Sequence, residues 1–229
     1  MRFVSRRSSA AMLLVAFALI TVTSAAGAAV VNLRSGNAAP GNPDPAITML
    51  ALPGNCGTGF PVAFSAADFA AAAGGPPAIV ESFIHPAWGP TLPCDPAAQW
   101  IGTNAQASPQ SALFAQRFDL PAPCCYSKAF LHFCWQADDA LGDAVNPAGI
   151  YINGTPILAV AAGNYLTPTS VSGIDVSQML HCGPNYLYVY NRDIACAVSG
   201  TIYTATFDLV ECIDPVQPSS WGSIKATYR

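Results

Sequence analysis

The sequence predicts an all-β sandwich. In its second half, short segments alternate between apolar and polar residues with the period of two that is typical of strands buried on one face. Turn-forming residues separate these segments, and the chain contains 20 prolines and 18 glycines. It shows hardly any helical periodicity. Hydrophobic residues make up 52% of the chain and charged residues 10%, which excludes a disordered protein and indicates a substantial core.

An export signal is predicted for residues 1–28. Three arginines precede an apolar run from Ala10 to Val22, and Ala26-Gly27-Ala28 offers an A-x-A cleavage site. The run is shorter than the roughly 20 residues that a membrane-spanning helix needs, which favours a cleaved signal over an uncleaved anchor. We therefore expect a secreted, extracellular or cell-surface protein with one domain over residues 29–229 and no membrane span after cleavage.

Net charge argues against one class of partner. Loss of the three N-terminal arginines with the signal changes the net charge from −4 to −7. Because recognition of nucleic acid starts from a basic face, we expect no nucleic-acid partner for the mature chain.

The first third of the mature chain is predicted to consist mostly of long loops rich in alanine, glycine and proline. A short strand is expected over Ile47–Leu52. Residues 68–73 favour one turn of helix, which the Gly-Gly-Pro-Pro run at 74–77 would end.

The second half of the chain contains the stronger strand signals. Strands are predicted at Leu113–Leu120, Ala129–Gln136, Asn185–Tyr190 and Thr201–Leu209. Residues 149–157 predict a hairpin, because Asn153-Gly154 suits the positive φ angles of a type I′ turn. A short helical turn capped by Asp175 is expected over residues 175–180.

Alternation in the last two strands predicts which side chains face the core. In the final strand, the residues expected to point inward are Tyr203, Ala205, Phe207 and Leu209. Those expected to point outward are Ile202, Thr204, Thr206 and Asp208. In the preceding strand, Leu187 and Val189 share one face, and the other face carries Tyr186, Tyr188 and Tyr190. If the Leu187/Val189 face is the core face, the three tyrosines point outward.

The cysteine content predicts disulfide bonds. The eight cysteines all follow the signal: Cys56, Cys94, Cys124, Cys125, Cys134, Cys182, Cys196 and Cys212. An even number in an exported chain indicates disulfides, although their pairing cannot be deduced. Cys182 and Cys196 flank a predicted strand and turn, which favours a bond between them. The alternative is a zinc site formed by Cys124, Cys125, His132 and Cys134. Adjacent cysteines diverge on a strand and the chain has no C-x2-C pair, so disulfides are favoured.

Several motifs, taken in order, resemble a known family. They are Trp100-Ile101, FAQRFDLP (114–121), WQADD (135–139), GIYINGTPI (149–157), IDVSQML (174–180) and CGPNYLYVYNRD (182–193). Their order resembles that of the galactose-binding-domain-like β-sandwiches, especially the variant found in secreted bacterial surface proteins. The resemblance implies a jelly-roll fold over nearly all of residues 29–229. It also implies use as an accessory or binding module, commonly for glycans.

Exposed aromatic side chains are candidates for stacking against a sugar ring. Trp88 lies in the Pro/Gly-rich loop HPAWGP and Trp221 lies near the C-terminus, so we expect both to be exposed. Tyr188 is a further candidate, with core packing as its alternative. Trp135 is expected in the core, and Trp100 is expected to pack rather than to bind.

Polar candidates occur at predicted strand ends and turns. Asp138 and Asp139 offer oxygen ligands for a structural calcium ion, but we favour their alternative role of capping the strand end. Asn191 and Arg192 are candidate ligand contacts in a turn, and turn formation explains them equally well. Asn153 lies in an Asn-Gly-Thr sequon and is a candidate for N-glycosylation, although the hairpin accounts for the same residues.

No familiar catalytic motif occurs in the sequence. It lacks G-x-S-x-G, H-E-x-x-H and a phosphate-binding loop, and its three histidines, His85, His132 and His181, are far apart. We therefore expect no enzyme and no cofactor, with a structural calcium ion at Asp138 and Asp139 as the alternative. The predicted function is a non-catalytic module that binds glycans or another extracellular surface component. A structural protein of a cell surface, sheath or matrix is the alternative, and a secreted hydrolase is the third hypothesis.

Overall fold

The computed structural model describes residues 28–52, 54, 56–122, 126–157 and 164–212. Within these ranges the chain forms one helix, α1 (Ala66–Ala73), and twelve strands. The strands are β1 (Ala28–Arg34), β2 (Pro43–Ala51), β3 (Pro77–Val80), β4 (Ile101–Gly102), β5 (Ala112–Asp119), β6 (Tyr126–Asp138), β7 (Ala140–Leu141), β8 (Ile150–Ile152), β9 (Thr155–Pro156), β10 (Thr169–Asp175), β11 (Pro184–Arg192) and β12 (Gly200–Glu211). The prediction of an all-β fold is confirmed. Residues 1–27 of the predicted signal, Cys124, Cys125 and Trp221 lie outside the described residues.

The strands form one curled antiparallel sheet. Its order is β10-β6-β12-β4-β3-β2-β5-β11-β8-β9, with β1 beside β12 and β7 beside β11. The curl brings two parts of the sheet face to face, because Phe118 of β5 stacks on Phe207 of β12 with ring centroids 4.7 Å apart. Tyr203 on β12 also donates a hydrogen bond to Gln116 on β5 at 3.0 Å. The main core therefore lies between the β12/β6 part and the β5/β11 part.

The predicted inward face of β12 is confirmed, and one predicted outward residue is wrong. Tyr203, Ala205, Phe207 and Leu209 are all buried in the main core. Ile202 is also fully buried, because residues 81–100 form a long loop that covers it with Trp88 and Trp100. A strand that alternates can therefore be buried on both faces where a loop packs on its outer side.

Both faces of β11 are covered as well. Leu187 and Val189 belong to the main core, as the alternation predicts. Tyr188 and Tyr190 lie on the opposite face and are buried in a second aromatic cluster under α1 and residues 56–65. The ring of Phe69 from α1 is 4.8 Å from that of Tyr188. The prediction of an outward tyrosine face is therefore wrong for Tyr188 and Tyr190.

Two local predictions are confirmed and one is corrected. The helical turn at residues 68–73 is part of α1, which Ser65 and Asp68 begin with reciprocal side-chain-to-backbone hydrogen bonds. The turn after β10 is capped by Asp175, whose carboxylate accepts the Ser177 backbone N–H at 3.0 Å. The first third is less irregular than predicted, because β1 pairs with β12 from Ala28 to Arg34.

The hairpin between β8 and β9 is confirmed. Asn153 and Gly154 have φ angles of 51° and 80°, as a type I′ turn requires. The Asn153 side chain is also fully engaged. Its Oδ1 accepts the Tyr186 backbone N–H at 2.8 Å, and its Nδ2 donates to Met179 O at 2.7 Å and to Asn185 Oδ1 at 2.8 Å. Because a glycan would be attached at Nδ2, this geometry opposes modification of Asn153 in the folded protein.

Replacing Asn153 with glycine is expected to destabilise the fold by about 2 kcal/mol. Glycine adopts the same positive φ angle, so the turn conformation is kept. The loss of stability would therefore measure the contribution of the three side-chain hydrogen bonds. Denaturant unfolding of both proteins would measure the difference. An unchanged unfolding midpoint would show that these hydrogen bonds contribute nothing.

The cysteines that the structure describes are all in disulfides. Cys56 pairs with Cys196 and Cys94 pairs with Cys134, and both Cys182 and Cys212 are disulfide-bonded. The predicted Cys182–Cys196 bond is wrong, because Cys196 is already bonded to Cys56. Cys134 is not available to the alternative zinc site, because it is bonded to Cys94. These bonds are compatible with an extracellular protein, and no helix in the described ranges is long and apolar enough to cross a membrane.

Candidate functional site

A polar groove lies on the outer face of the sheet, across β1, β12, β6 and β10. It encloses about 380 Å³. Side chains alternate between the two faces of each strand, so the residues between the core positions point into the groove. The polar side chains that line it are Asn32, Arg34, Asp95, His132, Ser170, Ser172, Thr204 and Thr206. Donors and acceptors of several kinds are therefore gathered on one rigid surface.

The wall of the groove comes from the long loop between β3 and β4. This loop contributes Cys94 and Asp95. The Cys94–Cys134 disulfide ties the loop to β6, and Asp95 forms an ion pair with Arg34 of β1 at 3.1 Å. One covalent bond and one ionic contact therefore hold the wall against the floor.

The floor of the groove is organised by hydrogen bonds between neighbouring strands. Thr206 of β12 donates to Asn32 Oδ1 of β1 at 2.9 Å. Thr204 donates to the backbone oxygen of Leu33 at 3.0 Å. These contacts restrict the side-chain rotamers before any ligand arrives, which lowers the entropy cost of binding.

His132 connects three strands at one end of this surface. It lies between Leu131 and Phe133, which are buried in the core, so its own side chain points outward. Its Nδ1 is 2.5 Å from the Ser172 hydroxyl on β10, and its Nε2 is 3.1 Å from an Asp208 carboxylate oxygen on β12. These residues are far apart in the sequence, and they meet only because β6 pairs with both β10 and β12.

Two of the predicted aromatic ligand residues, Trp88 and Tyr188, are not on the surface. Trp88 is only 4% exposed, stacks on Trp100 with ring centroids 4.2 Å apart, and donates its indole N–H to Asp138. Tyr188 is buried under α1. The expectation that Trp88 is exposed is therefore wrong, whereas the packing roles of Trp100 and Trp135 are confirmed.

Asp138, Asp139 and Asn191 are brought together by the structure, and they hold the chain between β11 and β12. Asp139 accepts the backbone N–H groups of Ile194 and Ala195 at 2.6 and 2.8 Å. Asn191 donates to the backbone oxygen of Asp138 at 3.1 Å and to a serine hydroxyl. These hydrogen bonds fit the favoured prediction that Asp138 and Asp139 cap the strand end. Burial raises the pKa of Asp138 to about 7, and the neighbouring Asp139 carboxyl adds to this shift.

Arg192 lies apart from the polar groove. It lines a separate cavity of about 200 Å³ with Phe60 and Asp143. Its Nε is buried and has no hydrogen-bond partner among the described residues. A role in ligand contact stays a prediction for this residue.

Glu81 is a buried carboxyl that sequence analysis assigned no role. It follows β3, is 2% exposed, and neither of its oxygens has a hydrogen-bond partner in the described structure. Gly102 and Gly200 make room for it, since a Cβ on either would lie 2.3 or 2.6 Å from Glu81 Oε1. Burial, with a further contribution from the Asp138 carboxylate, raises the pKa of Glu81 to about 9. At neutral pH this side chain is therefore an uncharged part of the interior.

The fold and the groove together define a class of protein: an all-β domain with a disulfide-tethered polar groove on the outside of its sheet. Comparison of the full chain with protein-family models, with curated proteins and with solved structures finds no match. The chemistry of the groove is therefore the guide to function.

Proposed function

We propose that the protein is an extracellular binding module whose polar groove holds a saccharide chain. One observation supports this most strongly. The groove presents hydroxyl, amide, imidazole and guanidinium groups along four neighbouring strands, and a carboxylate from the loop that forms its wall. A saccharide both donates and accepts hydrogen bonds through its hydroxyl groups, so a mixed set of side chains of this kind suits it. The sequence resemblance to the galactose-binding-domain-like jelly rolls points to the same class of ligand.

The charges in and around the groove favour a neutral ligand over an anionic one. Arg34 is paired with Asp95, and His132 is paired with Asp208. The Arg34 guanidinium and the His132 imidazole each therefore have a carboxylate oxygen 3.1 Å away. A phosphate or sulfate would have to compete with these carboxylates, whereas a neutral polyol would not.

The groove also has a suitable size and rigidity. Its volume of about 380 Å³ falls in the usual range for small-molecule sites, which begins near 300 Å³. Its floor consists of strands, and a disulfide holds its wall. Binding would therefore need little ordering of the protein.

A glycan array followed by titration of the best ligand tests this proposal. Replacing both Asn32 and Thr206 with alanine is expected to weaken binding at least tenfold, because two floor contacts are lost. Arg117→Ala is the matched control, since Arg117 is an exposed residue of β5 that pairs with Asp119 outside the groove. Equal binding by the groove variant and the wild type would contradict the proposal.

The same array separates the remaining hypotheses. Running it in calcium and in a chelator tests the alternative role of Asp138 and Asp139 as calcium ligands, independently of the groove residues. If no glycan binds and the protein fractionates with an insoluble surface layer, the structural alternative is favoured instead.

A further inference from the structure

We propose that Ser172, His132 and Asp208 form a nucleophilic relay that hydrolyses a carboxylic ester presented in the polar groove. This activity goes beyond saccharide binding and does not depend on it. The three residues lie on three neighbouring strands, β10, β6 and β12. Ser172 and His132 both line the groove, so a ligand held there would reach the hydroxyl.

The hydrogen bonds place each group in a defined role. Ionised Asp208 can only accept a hydrogen bond, so the proton of the neutral imidazole is on Nε2, which is 3.1 Å from the carboxylate. His132 Nδ1 is then an acceptor, 2.5 Å from the Ser172 hydroxyl. A base within hydrogen-bond reach of a hydroxyl, oriented in turn by a third group, is the arrangement that activates a serine nucleophile. The two ring nitrogens exchange the roles they have in the familiar proteases, and either nitrogen can accept a proton.

The backbone at Ser172 is irregular, and this irregularity favours catalysis. Val171 pairs with Phe133 and Ile174 pairs with Leu131, so Ser172 and Gly173 together lie opposite the single residue His132. This is a β-bulge, a feature that re-aims side chains and occurs frequently next to active sites. The bulge turns the Ser172 hydroxyl toward the imidazole.

The same bulge provides space and a hydrogen-bond donor for the substrate. A Cβ at Gly173 would have no atom within 4 Å, so the volume beside the Ser172 backbone is open. A bulge leaves one residue unpaired in the ladder, and β10 is a terminal strand of the sheet. A backbone N–H that the bulge leaves out of the ladder would stabilise the oxyanion of a tetrahedral intermediate.

The reaction balances without a cofactor. The Ser172 oxygen attacks the ester carbonyl carbon and its proton moves to His132 Nδ1. The intermediate collapses, the bond to the leaving oxygen breaks, and His132 returns the proton to release an alcohol. A water molecule then attacks the acyl-serine, His132 accepts and returns its proton in the same way, and the carboxylic acid leaves. Asp208 does not touch the substrate and acts as a positioning residue.

A fluorophosphonate probe, which reacts covalently with activated serines, tests the relay without any saccharide. The intact protein is expected to be labelled at Ser172, as located by peptide mass spectrometry, and to hydrolyse p-nitrophenyl acetate. Ser172→Ala should abolish both signals, and His132→Gln should lower both rates at least 100-fold. Ser127→Ala is the matched control, because Ser127 is an exposed serine of β6 that does not line the groove, so this variant should leave both rates unchanged.

A separate measurement tests the role of Asp208. Asp208→Asn is expected to slow labelling and to change the pH dependence of the labelling rate, which a purely structural side chain would not change. Thermal melts that match the wild type establish that each variant is folded. No labelling of Ser172, or labelling that His132→Gln leaves unchanged, would overturn the relay. Neither outcome bears on saccharide binding, which the glycan array measures separately.

Discussion

Replacing Glu81 with glutamine is expected to stabilise the fold by about 3 kcal/mol at pH 7. The carboxyl of Glu81 is ionised in the unfolded chain above pH 4.5 but stays protonated in the folded chain until about pH 9. Folding at pH 7 therefore takes up a proton, and each pH unit above 4.5 costs about 1.4 kcal/mol. Glutamine has a similar shape and no charge, so it removes this cost.

The pH dependence gives the clearest signature. The favourable contribution of protonated Glu81 is fully present below pH 4.5 and is lost as the pH rises through about 9. Glu81→Gln and the wild type should therefore have similar unfolding free energies near pH 4 and should diverge steadily up to pH 9. Denaturant unfolding across this range measures the divergence.

Glu211 provides the matched control, because it is the second glutamate of the chain and lies half-exposed at the end of β12. Glu211→Gln should change stability little at any pH. A stability difference between Glu81→Gln and the wild type that stayed constant with pH would refute the assignment of a buried neutral acid at position 81.

Removal of the Cys56–Cys196 disulfide is expected to destabilise the protein by up to about 5 kcal/mol. The bond joins residues 140 positions apart, so it restricts a very long loop in the unfolded chain. Replacing both cysteines with serine avoids a free thiol. Guanidinium unfolding of the double variant and of the wild type measures the loss.

The second bond gives an internal comparison. The Cys94–Cys134 bond spans 40 positions, so its removal should cost less, about 4 kcal/mol. It also holds the groove wall, so we expect this double serine variant to lose ligand binding under conditions in which it remains folded. A larger loss of stability from the shorter loop would contradict the entropic explanation.

The strand predictions succeeded where the signal is local. The alternation in β12 assigned Tyr203 and Phe207 to the core because a strand buried on one face repeats every two residues. The Asn153-Gly154 turn was predictable because few residue pairs tolerate its positive φ angles. The same reasoning failed for Ile202 and Tyr188, since a period of two does not report whether a loop or a helix later covers the second face.

The candidate site was less predictable. The proline and glycine content of its loop predicts an exposed Trp88. The loop instead packs on the sheet, and the Trp88 indole N–H donates a hydrogen bond to Asp138. Neither Ser172 nor His132 lies in a recognisable catalytic sequence motif. They are 40 residues apart, and only the register of β10 against β6 and the bulge at Gly173 bring them together.

The sequence by itself determined the all-β class, most strand positions, the hairpin and the presence of disulfides. These depend on periodicity, turn chemistry and composition, which act over a few residues or over the whole chain at once. Tertiary structure alone decided the partners: Cys56 with Cys196, Thr206 with Asn32, and His132 with both Ser172 and Asp208. The physical reason is that packing of the complete core sets the register of each strand. A shift of one strand by one residue would turn its groove side chains inward.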